Sequence, residues 1–200
     1  MMYTARYLGA AGFSILYFAL AFTGIFAVFR DLGLQPLTVR EVARDKSLAP
    51  KCLANVNLMR IILVAVTFNL IVLTMNLLGY PEETIRVVYL LGLYVIFAAF
   101  AQMFFSIFQA FEGMEFQAVG QMLNAAFVLS GVILAIKLGF SVSGFASLYV
   151  ITSAIALGYS FVIMKLKFSN PASALAVKAM EFDWSFWKPT IKEALPFGLT

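Results

Sequence analysis

Five long stretches without a charged residue, 12–29, 61–80, 87–111, 118–136 and 143–164, limit what this chain can fold into. A helix rises about 1.5 Å per residue, so roughly 20 apolar residues cross a hydrocarbon layer about 30 Å thick. Inside such a layer the peptide groups find no water, which leaves only helices and closed barrels as spanning structures. Barrel strands are about ten residues long and alternate strictly, whereas these runs are longer and apolar throughout. Composition agrees: 62% hydrophobic residues, 21 phenylalanines and a mean hydropathy of +0.94 exceed what a soluble domain needs for its core. The expected fold class is all-α, a polytopic helical membrane protein with five transmembrane helices and the start of a sixth. Residues 1–164 should form the five-helix bundle, 165–190 a cytoplasmic or interfacial linker, and 191–200 the beginning of a further, truncated span.

Arg6 precedes the first run, as in a secretory signal, but the run exceeds a signal core and no small-x-small cleavage pattern follows, so it reads as a retained span. Between the runs lie helix boundaries. Pro36 with Thr38 and Glu41 predicts a capping box that starts a short helix outside the bilayer. Ser47 and Pro50 suit the start of a helix of about 30 residues running to Tyr80. Gly79, Tyr80 and Pro81 predict a tight turn, with Glu82 and Glu83 in the first turn of the next helix, where its dipole favours them. Gly113 and Gly139 read as helix terminators, and Ser141 or Ser143 as the cap of the fifth span. In the tail, Trp184 and Trp187 suit the interface, and Thr190 with Glu193 predicts a second capping box before Pro196.

Basic residues give an orientation. Lys and Arg collect in short cytoplasmic loops, and here Arg30, Arg40, Arg44, Lys46, Lys51 and Arg60 lie in the segment 30–60 between the first and second runs, while Lys165, Lys167, Lys178, Lys188 and Lys192 follow the fifth span. The opposite side holds Arg6, Arg86 and Lys137. The first span therefore runs from outside to inside. The +4 net charge is accounted for by cytoplasmic segments facing anionic lipid, and no nucleic-acid partner is implied. One cysteine, Cys52, excludes an internal disulfide and suits packing near the cytoplasmic face.

The segments ARYLGAAGFSILYFALAFTGIFAVFRDLGLQPLTVREVARD (5–45), FQAFEGMEF (108–116) and FDWSFWKPTIKEALPFGL (182–199) resemble the early part of the polysaccharide-type flippases. These are the Wzx-like oligosaccharide transporters of the multidrug/oligosaccharidyl-lipid/polysaccharide superfamily. The resemblance rests on Arg6–Gly9, Asp31–Gly33 and Arg40–Arg44 in that order and covers essentially the whole chain. Family members pack two helical bundles around a central cavity. Relative to that pattern the chain lacks the helix before Arg6 and everything past the start of the seventh, and is expected to be part of the N-terminal bundle.

The resemblance implies a multi-pass protein of the cytoplasmic membrane that moves a polyprenyl-pyrophosphate-linked oligosaccharide to the outer leaflet for surface polysaccharide assembly. Its implied partners are membrane lipid, that substrate and other polysaccharide-assembly proteins. No enzyme activity, metal or cofactor is implied. Arginine suits pyrophosphate because its fork matches phosphate oxygens, which makes Arg30, Arg40 and Arg44 candidate head-group contacts; the stronger reading is that they are topological anchors or interfacial charge clusters. Asn69 and Asn76 share one helix face, Gln102 and Gln109 another, and Gln117, Gln121 and Asn124 a third. Such amides commonly tie helices together; the alternative is that some line a sugar-accepting cavity. Gly24, Gly92, Gly131 and Gly158 suit close helix approach or bending.

Absences narrow the chemistry. Without histidine there is no His-metal site and no Ser-His nucleophile. With no carboxylate in any run, Asp31 at the membrane border is the nearest candidate for ion coupling. That same absence disfavours the main rival, a multidrug/cation antiporter of the same superfamily. A membrane-embedded glycan-assembly enzyme would need catalytic groups in a large loop, and the outer loops are short. An inactive product of a truncated gene is the third alternative.

Overall fold

The computed structural model describes residues 2–27 and 33–167. Expectations for Arg30, Asp31, Trp184, Trp187, the box at Thr190 and the segment 191–200 lie outside those residues, as do all but the first three residues of the linker and the side chain of Cys52. Among the described residues there are six α-helices and no strand: α1 (Met2–Ala27), α2 (Leu34–Arg44), α3 (Ala49–Leu78), α4 (Glu82–Ala110), α5 (Met114–Leu138) and α6 (Val142–Lys167), with a 3-10 turn at Lys46–Leu48 leading into α3. Five of them are long and apolar enough to cross a membrane: Tyr3–Phe26, Asn55–Leu78, Glu82–Ala110, Met114–Leu138 and Val142–Lys167. These spans outrun the uncharged runs, because polar residues continue a helix past the point where hydropathy falls.

The bundle has two ends. Aromatic pairs join Tyr7 near the start of α1 to Phe145 at the start of α6 at 5.9 Å, and Phe18 in the middle of α1 to Tyr80 in the α3–α4 turn at 4.9 Å. Around them Leu16 and Ala19 of α1, Ile71 and Met75 of α3, Val87 and Leu91 of α4, and Phe145 and Ala146 of α6 form one buried cluster. At the other end Val42 of α2, Phe104, Phe105 and Phe108 of α4, and Met164 of α6 form a second. Central to both is α4, half of whose span is buried against 11–22% for the others.

Lying across the second end, α2 buries Leu34, Leu37, Thr38 and Val42 on one face. Leu34 and Leu37 pack on Val56 and Met59 of α3, forming a third cluster. Removing each of these aliphatic side chains from water stabilises the docked helix by about 1.5–3 kcal/mol. The expected box at Thr38 is not formed. The helix starts a turn earlier, after Gly33, and Thr38 is an interior residue whose hydroxyl donates to Leu34 O at 2.6 Å. Glu41 pairs instead with its neighbour Arg40.

Other boundaries follow the expected punctuation. The turn at 79–81 is present and α4 opens with Glu82 and Glu83. Gly139 caps α5 at φ 75, a left-handed conformation that costs a residue bearing a Cβ about 1–2 kcal/mol. Between α4 and α5, however, the left-handed residue is Glu112 at φ 63, and Gly113 is the N-cap of α5. Ser141 precedes α6 with its hydroxyl 3.0 Å from that of Ser143. Inside α1 the backbone leaves helical geometry at Gly9 (φ 69, ψ 179), so residues 2–8 form about two turns of helix set off by a kink from the rest of α1.

Close helix approach is confined to some of the expected glycines. A Cβ on Gly92 would sit 3.1 Å from the Phe68 ring of α3, and one on Gly131 would meet Leu148 of α6 at 3.4 Å. Gly24 and Gly158 face open space and mark no contact. The tightest approach between helices is at Gly120, which the sequence did not single out. A Cβ there would fall 2.9 Å from Phe105 and 3.0 Å from Tyr159, so α5 meets α4 and α6 at this point.

Candidate functional site

Basic side chains sort by end. Arg40, Arg44, Lys46, Lys165 and Lys167 lie at the end covered by α2, while Arg6, Arg86 and Lys137 lie at the other. Arg40 donates through Nη2 at 2.8 Å and Nε at 3.0 Å to Glu41 Oε1, a half-exposed neighbour pair, and Arg44 is exposed at the end of α2. Lys46 places its ammonium 5.7 Å over the Phe111 ring, joining the 3-10 turn to the end of α4. Asp45 accepts from the Ser47 hydroxyl at 2.7 Å and the Ser47 amide at 2.9 Å. These bonds, the hydroxyl first, hold its carboxyl below the ordinary 3.8.

The amides divide by what they touch. Gln109 Nε2 donates to Gln117 Oε1 at 2.6 Å, which joins two of the expected faces across the α4–α5 turn. Asn76 donates to Val72 O at 2.9 Å and to the Tyr89 hydroxyl at 3.2 Å, tying α3 to α4. Asn69 is exposed and donates to Ala65 O of its own helix at 2.8 Å, so it joins no other helix. Gln121 is exposed on α5, and Gln102 is half-buried on α4. Asn124 keeps its Oδ1 buried with no hydrogen-bond partner among the described residues. Helix-tying amides and open-faced amides are thus both present.

Arg60 was expected among the basic residues outside the spans. It lies instead inside the candidate span Asn55–Leu78, 1% exposed, with Nη1 donating to Ala99 O of α4 at 2.7 Å. At 1.5 Å per residue it is about 27 Å from the Leu78 end of α3, and Ala99 is about 16 Å from the Ala110 end of α4. Helical spacing gives the signal for this placement: Val56, Met59, Arg60, Val64, Thr67, Ile71 and Met75 recur every three or four residues and are all buried. A charge on that stripe is held between helices. Guanidinium donors make that possible, since a carbonyl on a neighbouring helix can accept from them at membrane depth.

One further concavity adjoins this region. A cleft of about 420 Å³ opens between α3 and α6, with α4 as its floor and Asn57, Phe104 and Phe161 among its walls.

The chain was compared with known proteins. The family model described as "Polysaccharide biosynthesis protein" matches residues 1–200. No curated protein matches, and no solved structure matches. With its whole length matched and five helices able to cross a membrane, the chain belongs to the polysaccharide biosynthesis protein family and is a membrane protein of that family.

Proposed function

We propose that this bundle takes part in moving an oligosaccharide, linked through pyrophosphate to a polyprenol lipid, from the inner to the outer leaflet of the cytoplasmic membrane. The observation that supports it is the placement of amides on open faces of apolar spans. Asn69 on α3 and Gln121 on α5 are exposed within helices otherwise fit for hydrocarbon. Against lipid tails the amide oxygen and any amide hydrogen not bonded back to its own helix lack partners, at a cost of about 1–3 kcal/mol. Against sugar hydroxyls it both donates and accepts. Gln102, Asn124 and the linked pair Gln109 and Gln117 would extend such a polar surface, and Asn76 would bound it near the Leu78 end of α3.

The end bearing α2 and Lys165 then faces the cytoplasm, by the bias of basic residues to that side. Arg40 and Arg44 lie at the end where a pyrophosphate would arrive; by sequence Arg30 would join them, and Asp31 would be the position for any ion coupling. A sugar and a pyrophosphate cannot cross hydrocarbon bare, so a protein-lined polar path with the lipid tail left in the bilayer meets the physical requirement. Rocking of two facing bundles would open that path to each side in turn.

The test is complementation. Expressed in a flippase-deficient strain, the full-length protein should clear the lipid-linked oligosaccharide that accumulates on the inner leaflet. Persistent accumulation alongside confirmed membrane expression would contradict the proposal.

A further inference from the structure

The cleft between α3 and α6 is floored by Phe100, Met103 and Phe104 of α4. Its α6 wall is built from Ala154, Leu157, Gly158 and Phe161, and Gly158 meets nothing within 4 Å where a side chain would start. From Ala154 to Phe161 the wall rises about 10 Å, so its volume of about 420 Å³ corresponds to a cross-section of roughly 40 Å². A helix about 10 Å across needs roughly twice that section. A single hydrocarbon chain fits. At the Lys167 end of the cleft the Lys165 ammonium lies 4.8 Å over the Phe161 ring, so a positive charge stands at the mouth of an apolar slot.

An apolar slot ending in an ammonium is complementary to a molecule with a long hydrocarbon tail and an anionic head. We propose that this cleft is a binding site for an anionic phospholipid, with one acyl chain against Phe100, Phe104 and Gly158 and its phosphate held by Lys165. The site faces sideways from the bundle and uses none of Asn69, Gln121 or the α2 arginines, so it does not depend on what the protein transports. It requires only that α3, α4 and α6 cross the bilayer. Held there, a phospholipid would fill the gap that α3 and α6 leave over α4.

The test is native mass spectrometry of the full-length protein, purified from vesicles of equal parts phosphatidylglycerol and phosphatidylethanolamine and stripped stepwise of lipid. One phosphatidylglycerol should survive stripping on the unaltered protein. Lys165→Gln should lower its retention about fivefold, the equivalent of the roughly 1 kcal/mol that one lysine contributes near an anionic surface. Gly158→Phe, which fills the slot, should abolish retention. Gly24→Phe places the same ring on another glycine that faces open space and should leave retention intact, which separates a filled site from a disturbed fold. Equal retention of the two lipids, or retention unaffected by Lys165→Gln, would overturn the proposal. So would recovery of a polyprenyl lipid in the place of the phospholipid.

Discussion

Arg60 is the residue whose surroundings most restrict substitution. A guanidinium that is 1% exposed and bonded to Ala99 O at 2.7 Å cannot be shortened without leaving a cavity and losing that charged hydrogen bond. Arg60→Ala is expected to cost about 2–4 kcal/mol, the sum expected from a lost charged hydrogen bond and an unfilled space. Arg60→Met keeps most of the volume and removes the buried charge together with its desolvation, so its cost should stay under about 1.5 kcal/mol. Thermal unfolding of both variants in detergent checks the contrast, and equal losses would show that volume is not what matters at this site. The sequence displays this arginine at the border of an apolar run, where it reads as a cytoplasmic-side charge on the part of the helix outside the span. Its true position depends on which face of α3 meets α4, and that is legible only from the buried three-and-four spacing through Val64, Thr67 and Ile71. Asn69 and Asn76 illustrate the same limit: one shared helical face, yet Asn69 stays on its own helix while Asn76 reaches Tyr89.

Among the helices, α5 packs mainly on α6 and is otherwise open. Only 11% of its span is buried, and its tightest approach to α4 and α6 is at Gly120, against the Phe105 and Tyr159 rings. Gly120→Ala should therefore push α5 outward and cost about 1–3 kcal/mol through overpacking. Gly131→Ala should be close to neutral, because a Cβ there meets Leu148 at an ordinary 3.4 Å. Thermal unfolding of the pair reads the difference, and an equal cost would mean that the α5 contact is not set at Gly120. The existence of the five spanning helices was plain in the sequence, since uncharged runs of that length have no other stable form in hydrocarbon. Their ends were less plain. Val142 and Glu82 begin helices that hydropathy alone would start later, and α2 begins at Leu34 because Gly33 turns the chain there. A Thr-x-x-Glu spacing such as Thr38 and Glu41 is equally compatible with a helix interior, where the hydroxyl bonds back to the preceding turn.

At the level of the whole molecule, α4 is the helix on which α1, α2, α3 and α6 pack, with α5 reaching it through the α4–α5 turn and Gly120. That centrality was not legible in the sequence. When every face of a helix is apolar, hydrophobic periodicity no longer marks the buried side, and packing is decided by shape. What was legible is the sorting of charge, because it follows from the alternation of spans and short connections. The bundle places Arg40, Arg44, Lys46 and Lys165 at one end and Arg6, Arg86 and Lys137 at the other, the arrangement that a cytoplasmic α2 requires. Family membership over residues 1–200 ties the bundle to polysaccharide biosynthesis, and under the transport role proposed above a path for sugars would start at the end that bears α2. The most direct measurement is cysteine labelling in intact cells with a membrane-impermeant maleimide, in a Cys52→Ser background. Ser141→Cys, in the α5–α6 turn, should label from outside, and Arg40→Cys should label only after the membrane is opened. Labelling of Arg40→Cys from the exterior would contradict both the orientation and the transport direction built on it.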